Sequence, residues 1–237
     1  MAWICGLAAI TFAAPAAAQV VEPQVGPSRF HLGGGFIIAQ PVGEFADGID
    51  VGFGFGGHGL YDLDPAGAVS LRADAGFIIY GSETQRVCLS TTVGCRIEVD
   101  LTTTNNIGYL HVGPQLMLPY GPVRPYVNAG IGIGYFGTQS SVEGTSTDDD
   151  FASTTNFDDA TFAWAAGGGF YIPLSIRNTS ISIDLGARYN GNGNVQYLRE
   201  GDIQDNPDGS ISFTPRDSEA NLITYSIGVS IGLRRGR

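Results

Sequence analysis

The sequence predicts an all-β protein built as an eight-stranded antiparallel up-and-down transmembrane β-barrel. Three observations carry this expectation. Apolar residues recur at every second position through eight segments, which places successive side chains on opposite faces of a strand. The connections between the segments alternate between short and long. After Gln19 no apolar run approaches the roughly 20 residues that a spanning helix requires, so a membrane would have to be crossed by strands.

Met1 to Ala18 is an apolar run that ends in small residues before Gln19, the layout of a secretory leader with an A-x-A cleavage site. The expected organisation is a signal peptide over 1–18, a short periplasmic N-terminal segment over 19–29, and a barrel over 30–235. In the first strand Phe30, Leu32, Phe36 and Ile38 oppose His31, Gly33 and Gly35. In the second Ile49, Val51, Phe53, Phe55 and Tyr61 oppose Asp50, Gly52, Gly54, Gly56 and His58. The third sets Val69, Leu71, Ala73, Ala75, Phe77 and Ile79 against Ser70, Arg72, Asp74 and Gly76. The fourth, about Thr103 to Leu116, sets Leu110, Val112 and Leu116 against Tyr109, His111 and Gln115. The fifth shows Val127, Ala129, Ile131, Ile133 and Tyr135 against Asn128, Gly130, Gly132 and Gly134, and the sixth carries Phe162, Trp164, Ala166, Gly168, Phe170 and Ile172 on one face. Thr179 to Asn190 and Ile223 to Leu233 alternate in the same way.

Short connections at 62–67, 119–122 and 173–178 carry turn formers, whereas those at about 40–49, 81–100, 138–160 and 191–220 are long and polar. That rhythm gives a barrel tight periplasmic turns and extended outer loops. Within the last long connection, Asp205-Asn-Pro-Asp-Gly209 reads as a turn, with Val195 to Ile203 and Ser210 to Thr214 as the arms of a hairpin above the membrane. Tyr135, Trp164, Tyr189 and Tyr225 then fall at the outer ends of their strands on the apolar face, where an aromatic belt at the lipid interface belongs. A soluble barrel would turn polar residues outward. Here the face opposite the apolar one is Gly and Ser with a few charges, which suits a narrow lumen.

The Gly-rich alternating strands, such as Val127-Asn-Ala-Gly-Ile-Gly-Ile-Gly-Tyr135 and Trp164-Ala-Ala-Gly-Gly-Gly-Phe170, together with the leader and the terminal strand Ile223 to Leu233, carry a family resemblance. The chain resembles the small outer-membrane β-barrel family of the OmpA-barrel and OmpX type over its mature length. The resemblance implies a barrel in the bacterial outer membrane and leaves the individual role open. Members commonly finish on a C-terminal aromatic, whereas this chain runs past Leu233 into Arg-Arg-Gly-Arg237.

All 12 basic residues are Arg and the net charge is −11, which excludes nucleic acid because a phosphate backbone needs a basic face. Inward parity collects Arg72, Asp74, Asp184 and Arg188, expected to pair as Arg72 with Asp74 and Asp184 with Arg188 in a structural polar plug. His31, His58 and His111 share that parity in the periplasmic halves of their strands, with His31 nearly opposite His58. No Cys or carboxylate joins them at ligand spacing, so no metal and no cofactor are expected. A nucleophilic Ser with His and an acid would be needed for a barrel enzyme that modifies lipid A, and no histidine lies on the lipid face or in a long outer loop. Cys88 and Cys95 flank a polar run in a chain bound for an oxidising compartment, so a loop-closing disulfide is expected, with two free thiols as the alternative.

The four long connections, with their flanking acids, carry net charges of −3, −1, −6 and −4. Carboxylates there suit divalent cations that also bridge lipopolysaccharide phosphates. The expected function is therefore a monomeric, non-enzymatic structural or interaction protein of the outer membrane. Its partners would be membrane lipid and lipopolysaccharide, and it would have acidic surface loops and no free solute pore. A narrow ion or small-solute channel and a lipid A-modifying enzyme are the alternatives.

Overall fold

The computed structural model describes residues 28–88, 98–144, 150–176, 179–198, 203–205, 211–213 and 215–233. In chain order the strands are β1 (Phe30–Pro41), β2 (Gly52–Asp62), β3 (Val69–Cys88), β4 (Glu98–Met117), β5 (Arg124–Gly144), β6 (Asp150–Ile176), β7 (Thr179–Asn192), β8 (Asn194–Tyr197), β9 (Ile203–Asp205), β10 (Ile211–Phe213), β11 (Arg216–Glu219) and β12 (Leu222–Leu233). A 3-10 turn, Gly43–Ala46, follows β1. Strands β1 to β7 and β12 close into one antiparallel barrel in the order β1-β12-β7-β6-β5-β4-β3-β2. Closure is made by β1 against β12, from Phe30 opposite Leu233 to Pro41 opposite Leu222.

The alternation in the sequence becomes two surfaces. Ile131 and Ile227 are 65% and 58% exposed on the outer wall, while Arg72 and Asp184 are each 6% exposed inside. This is the reverse of a soluble barrel, and it follows from having lipid rather than water outside. The inner glycines answer a second demand, because eight strands leave an interior only just wide enough for side chains. A Cβ at Gly33 would lie 2.3 Å from the His58 ring, and one at Gly76 would lie 2.4 Å from the Tyr109 ring. Both of these inward rings are thus received by a glycine directly across the ladder.

Three expectations are corrected. The segments 81–100 and 138–160 are strand rather than loop for most of their length. β3 pairs with β4 up to Cys88 opposite Glu98, and β5 with β6 up to Glu143 opposite Asp150. Thr and Ser rungs continue the ladder there, with Thr84 and Thr102 hydroxyls 3.0 Å apart and Thr103 and Ser140 hydroxyls 2.8 Å apart. Register shifts between Ile79 and Gly81 and between Thr138 and Gln139 mark where the barrel wall passes into this extension, since a bulge re-aims a strand. Second, Ile49 belongs to no outward face: β2 starts at Gly52, and Ile49 turns into the interior. Third, Pro173 to Ile176 continue β6 rather than belonging to a connection, and β7 begins at Thr179.

Candidate functional site in the barrel lumen

Three layers fill the lumen. At the end where β1 begins and β12 ends, His31 Nε2 lies 3.0 Å from Asp62 Oδ2, and the Ser70 hydroxyl donates to Asp62 Oδ1 at 2.7 Å. The carboxylate stands between the hydroxyl and the imidazole, so this trio cannot pass the serine proton to histidine as a nucleophile would require.

The middle layer holds the charges. Arg72 donates from Nε to Asp74 Oδ1 at 2.7 Å, and Arg188 Nη1 reaches Asp74 Oδ2 at 2.8 Å. Arg72 Nη1 also donates to Gln115 Oε1 at 2.7 Å and to the Tyr171 hydroxyl at 3.3 Å, and its guanidinium sits 5.7 Å from the centre of the Tyr126 ring. Tyr126 and Tyr171 stack at 4.6 Å. The expected pairing of Asp184 with Arg188 is corrected. Asp184 instead accepts the Tyr126 hydroxyl at 2.7 Å and lies 3.7 Å from His58 Nδ1. Both arginines converge on Asp74, Arg72 from the same strand and Arg188 from β7 on the opposite wall.

The expected apposition of His31 and His58 is offset by two residues, since His31 faces Leu60 and His58 faces Gly33. His111 stacks on Tyr109 at 5.3 Å. Among the described residues no three His, Cys, Asp or Glu side chains converge as metal ligands.

Above the charges lies an apolar plug that the sequence reading missed. Phe45, in the 3-10 turn, is edge-on to Tyr80 at 5.5 Å, Phe136 at 6.2 Å and Tyr197 at 5.0 Å. Ile37, Ile49, Ile78, Ile107, Val195 and Leu222 complete the cluster. Tyr197 comes from the long hairpin, in which β8 pairs with β11 and β9 with β10. Its base folds over the barrel mouth, held by Tyr80 Oη to Leu198 O at 3.4 Å, Asn192 Nδ2 to Ala220 O at 2.7 Å and Gln196 N to Asp159 Oδ2 at 2.9 Å. The available signals were Phe45 as a lone aromatic among polar loop residues and the alternation of Val195 with Tyr197.

On the outer wall Tyr135, Trp164 and Tyr225 are exposed and Tyr189 is partly so, with Trp164 and Tyr189 in ring contact at 5.3 Å. Cys95 lies outside the described residues, as does the Cys88 side chain, so the Cys88–Cys95 pairing falls there too, together with residues 1–27.

The family model for the outer membrane protein beta-barrel domain matches residues 5–212. The chain belongs to this family. As a family member it is a β-barrel of the bacterial outer membrane. Solved structures of similar fold include Neisserial surface protein A, at 13% identity and a TM-score of 0.44, covering 88% of this chain and 100% of that one. The Ail protein of Yersinia pestis, solved with the heparin analogue sucrose octasulfate, is 10% identical at a TM-score of 0.43, covering 86% and 98%. A major outer membrane protein of Thermus thermophilus is 12% identical at a TM-score of 0.44, covering 85% and 98%. No curated protein matches the sequence.

Proposed function

We propose that this family member is a closed outer-membrane anchor, a non-enzymatic structural or interaction protein that presents acidic hairpins outside the cell and passes no solute. The observation that carries the reading is the filled lumen: the Arg72–Asp74–Arg188 network beneath the Phe45 plug. The cavity between these layers measures only about 40 Å³, space for a few water molecules and nothing larger. Strands β3 to β6 are 20 to 27 residues long, about twice what a tilted spanning strand needs. The surplus lifts the acids of 81–100 and 138–160 off the membrane, where they meet lipopolysaccharide through shared divalent cations.

The anchor is a monomer, exported by cleavage before Gln19, with Cys88 and Cys95 joined by a disulfide. Planar-bilayer recording of refolded protein tests the central claim. A current at background level is expected, and discrete steps well above it would establish the channel instead. Intact-mass measurement of the exported protein, with and without reductant, reports the leader and the disulfide in one experiment. Unaltered lipid A masses on overexpression are expected, and a new acylation or deacylation product would make the barrel an enzyme.

A further inference from the structure

Polar atoms in the lumen wall below the plug lack partners among the described residues: both ring nitrogens of His111, both amide atoms of Asn128 and Nε of Arg188. His111 is 1% exposed and Asn128 6%, and buried polar groups without a protein partner are characteristically bonded to internal water. The three side chains point inward from β4, β5 and β7. Across the ladders His111 faces Gly132, Asn128 faces Gly167, and Gly167 faces Arg188. Gly130 and Gly167 lie between them, so no intervening side chain supplies the missing partners. A Cβ at Gly130 would lie 3.3 Å from Val112 O and 3.4 Å from His111 Cβ, and one at Gly167 would lie 2.2 Å from Ala187 O and 2.8 Å from Arg188 Cγ, so the wall there is tight and takes no bulkier residue at Gly167.

The donor and acceptor character identifies the occupant. Neutral His111 offers one donor and one acceptor, Asn128 two donors and an acceptor, and Arg188 Nε one donor. The set mixes donors with acceptors, so its occupant must both give and receive hydrogen bonds, which a bare cation or a fully ionised anion cannot do. Water satisfies all of them. Arg188 also lines the 40 Å³ cavity that His58, Asp74 and Asp184 share, which continues the polar region to the underside of the plug. Above that level Phe45, Ile37, Ile78, Ile107 and Phe136 meet in a layer without an ionised group.

We propose that the lumen is divided into a hydrated chamber, with water bound at His111, Asn128 and Arg188, and a dry apolar barrier centred on Phe45. The barrier, not the ion network, seals the barrel. This rests on the closed-anchor reading and assigns the closure to particular residues.

Proton flux into liposomes carrying a pH dye tests the division, with gel heat-modifiability confirming that each variant folds. Wild type and the network variant Arg72→Gln/Asp74→Asn are expected at the protein-free rate. Phe45→Ser/Tyr197→Ser is expected to raise the flux at least roughly tenfold, by letting water continue through the mouth. A leaking network variant beside a tight plug variant would place the seal at the charges, and two tight variants would leave the barrier unassigned to Phe45; either result overturns the proposal. Leakage by the wild type would instead defeat the closed-anchor reading. A crystal structure at high resolution gives the second readout. Density within about 3.2 Å of His111, Asn128 and Arg188 Nε is expected, and its lack at all three would refute the hydrated chamber.

Discussion

Asp74 is the residue on which the interior depends, because two guanidinium groups use its two oxygens. Removing one partner of a buried pair strands the other, at a typical cost of about 3–5 kcal/mol. Asp74→Ala is therefore expected to destabilise by at least that much in a urea refolding titration in lipid vesicles. Arg188→Met should cost less, since Arg72 still neutralises Asp74. Equal losses would show that the two arginines do not share one counter-charge. The pairing of Arg72 with Asp74 was legible in the sequence because residues two apart on a strand project from the same face. That of Arg188 was not. Four residues of strand span roughly 13 Å, too far for Asp184 and Arg188 to meet, whereas Asp74 reaches Arg188 across a lumen whose width no linear pattern states. Phe45 was hidden for a related reason: periodicity identifies faces of strands, and this residue acts from a turn.

Among the elements, the β2–β3 turn shows how a short connection is held. Asp64 accepts backbone N–H groups from Val69 at 2.7 Å and Ala66 at 2.9 Å, and Gly67 takes a positive φ of 72° to close the bend. The Val69 hydrogen bond foremost, with that of Ala66, holds the Asp64 carboxyl below its ordinary range. A depressed folded value means that the charged form favours the folded turn. The contribution is complete above the unfolded carboxyl value near 3.9 and disappears as pH falls through the lower folded value. Unfolding midpoints measured from pH 5 down to pH 2 should thus decline more steeply for wild type than for Asp64→Asn, and parallel curves would remove Asp64 as the cause. Turn formers made this bend readable, whereas the same preference for polar residues misled at 81–100 and 138–160. There Thr, a good strand residue, looks like loop when only apolarity is scored.

For the whole molecule, the two-faced wall is the controlling property, and its parity was written in the sequence from Phe30 to Leu233. An Arg on the lipid side near mid-bilayer costs about 2–4 kcal/mol. Ile227→Arg, on the outer face midway along β12, should lose that amount in the same refolding titration. A negligible loss would mean that this side of β12 does not meet acyl chains. Closure has a bearing on biogenesis as well. Ser28 bonds through its hydroxyl to the carbonyl of Leu233, 205 positions later in the chain, and β1 finds its second neighbour only in β12. A nascent polypeptide leaving the cytoplasm must accordingly travel with its first strand half-satisfied until the last one arrives. Truncation before Leu222 would leave two raw edges, prone to pair with other chains instead of each other.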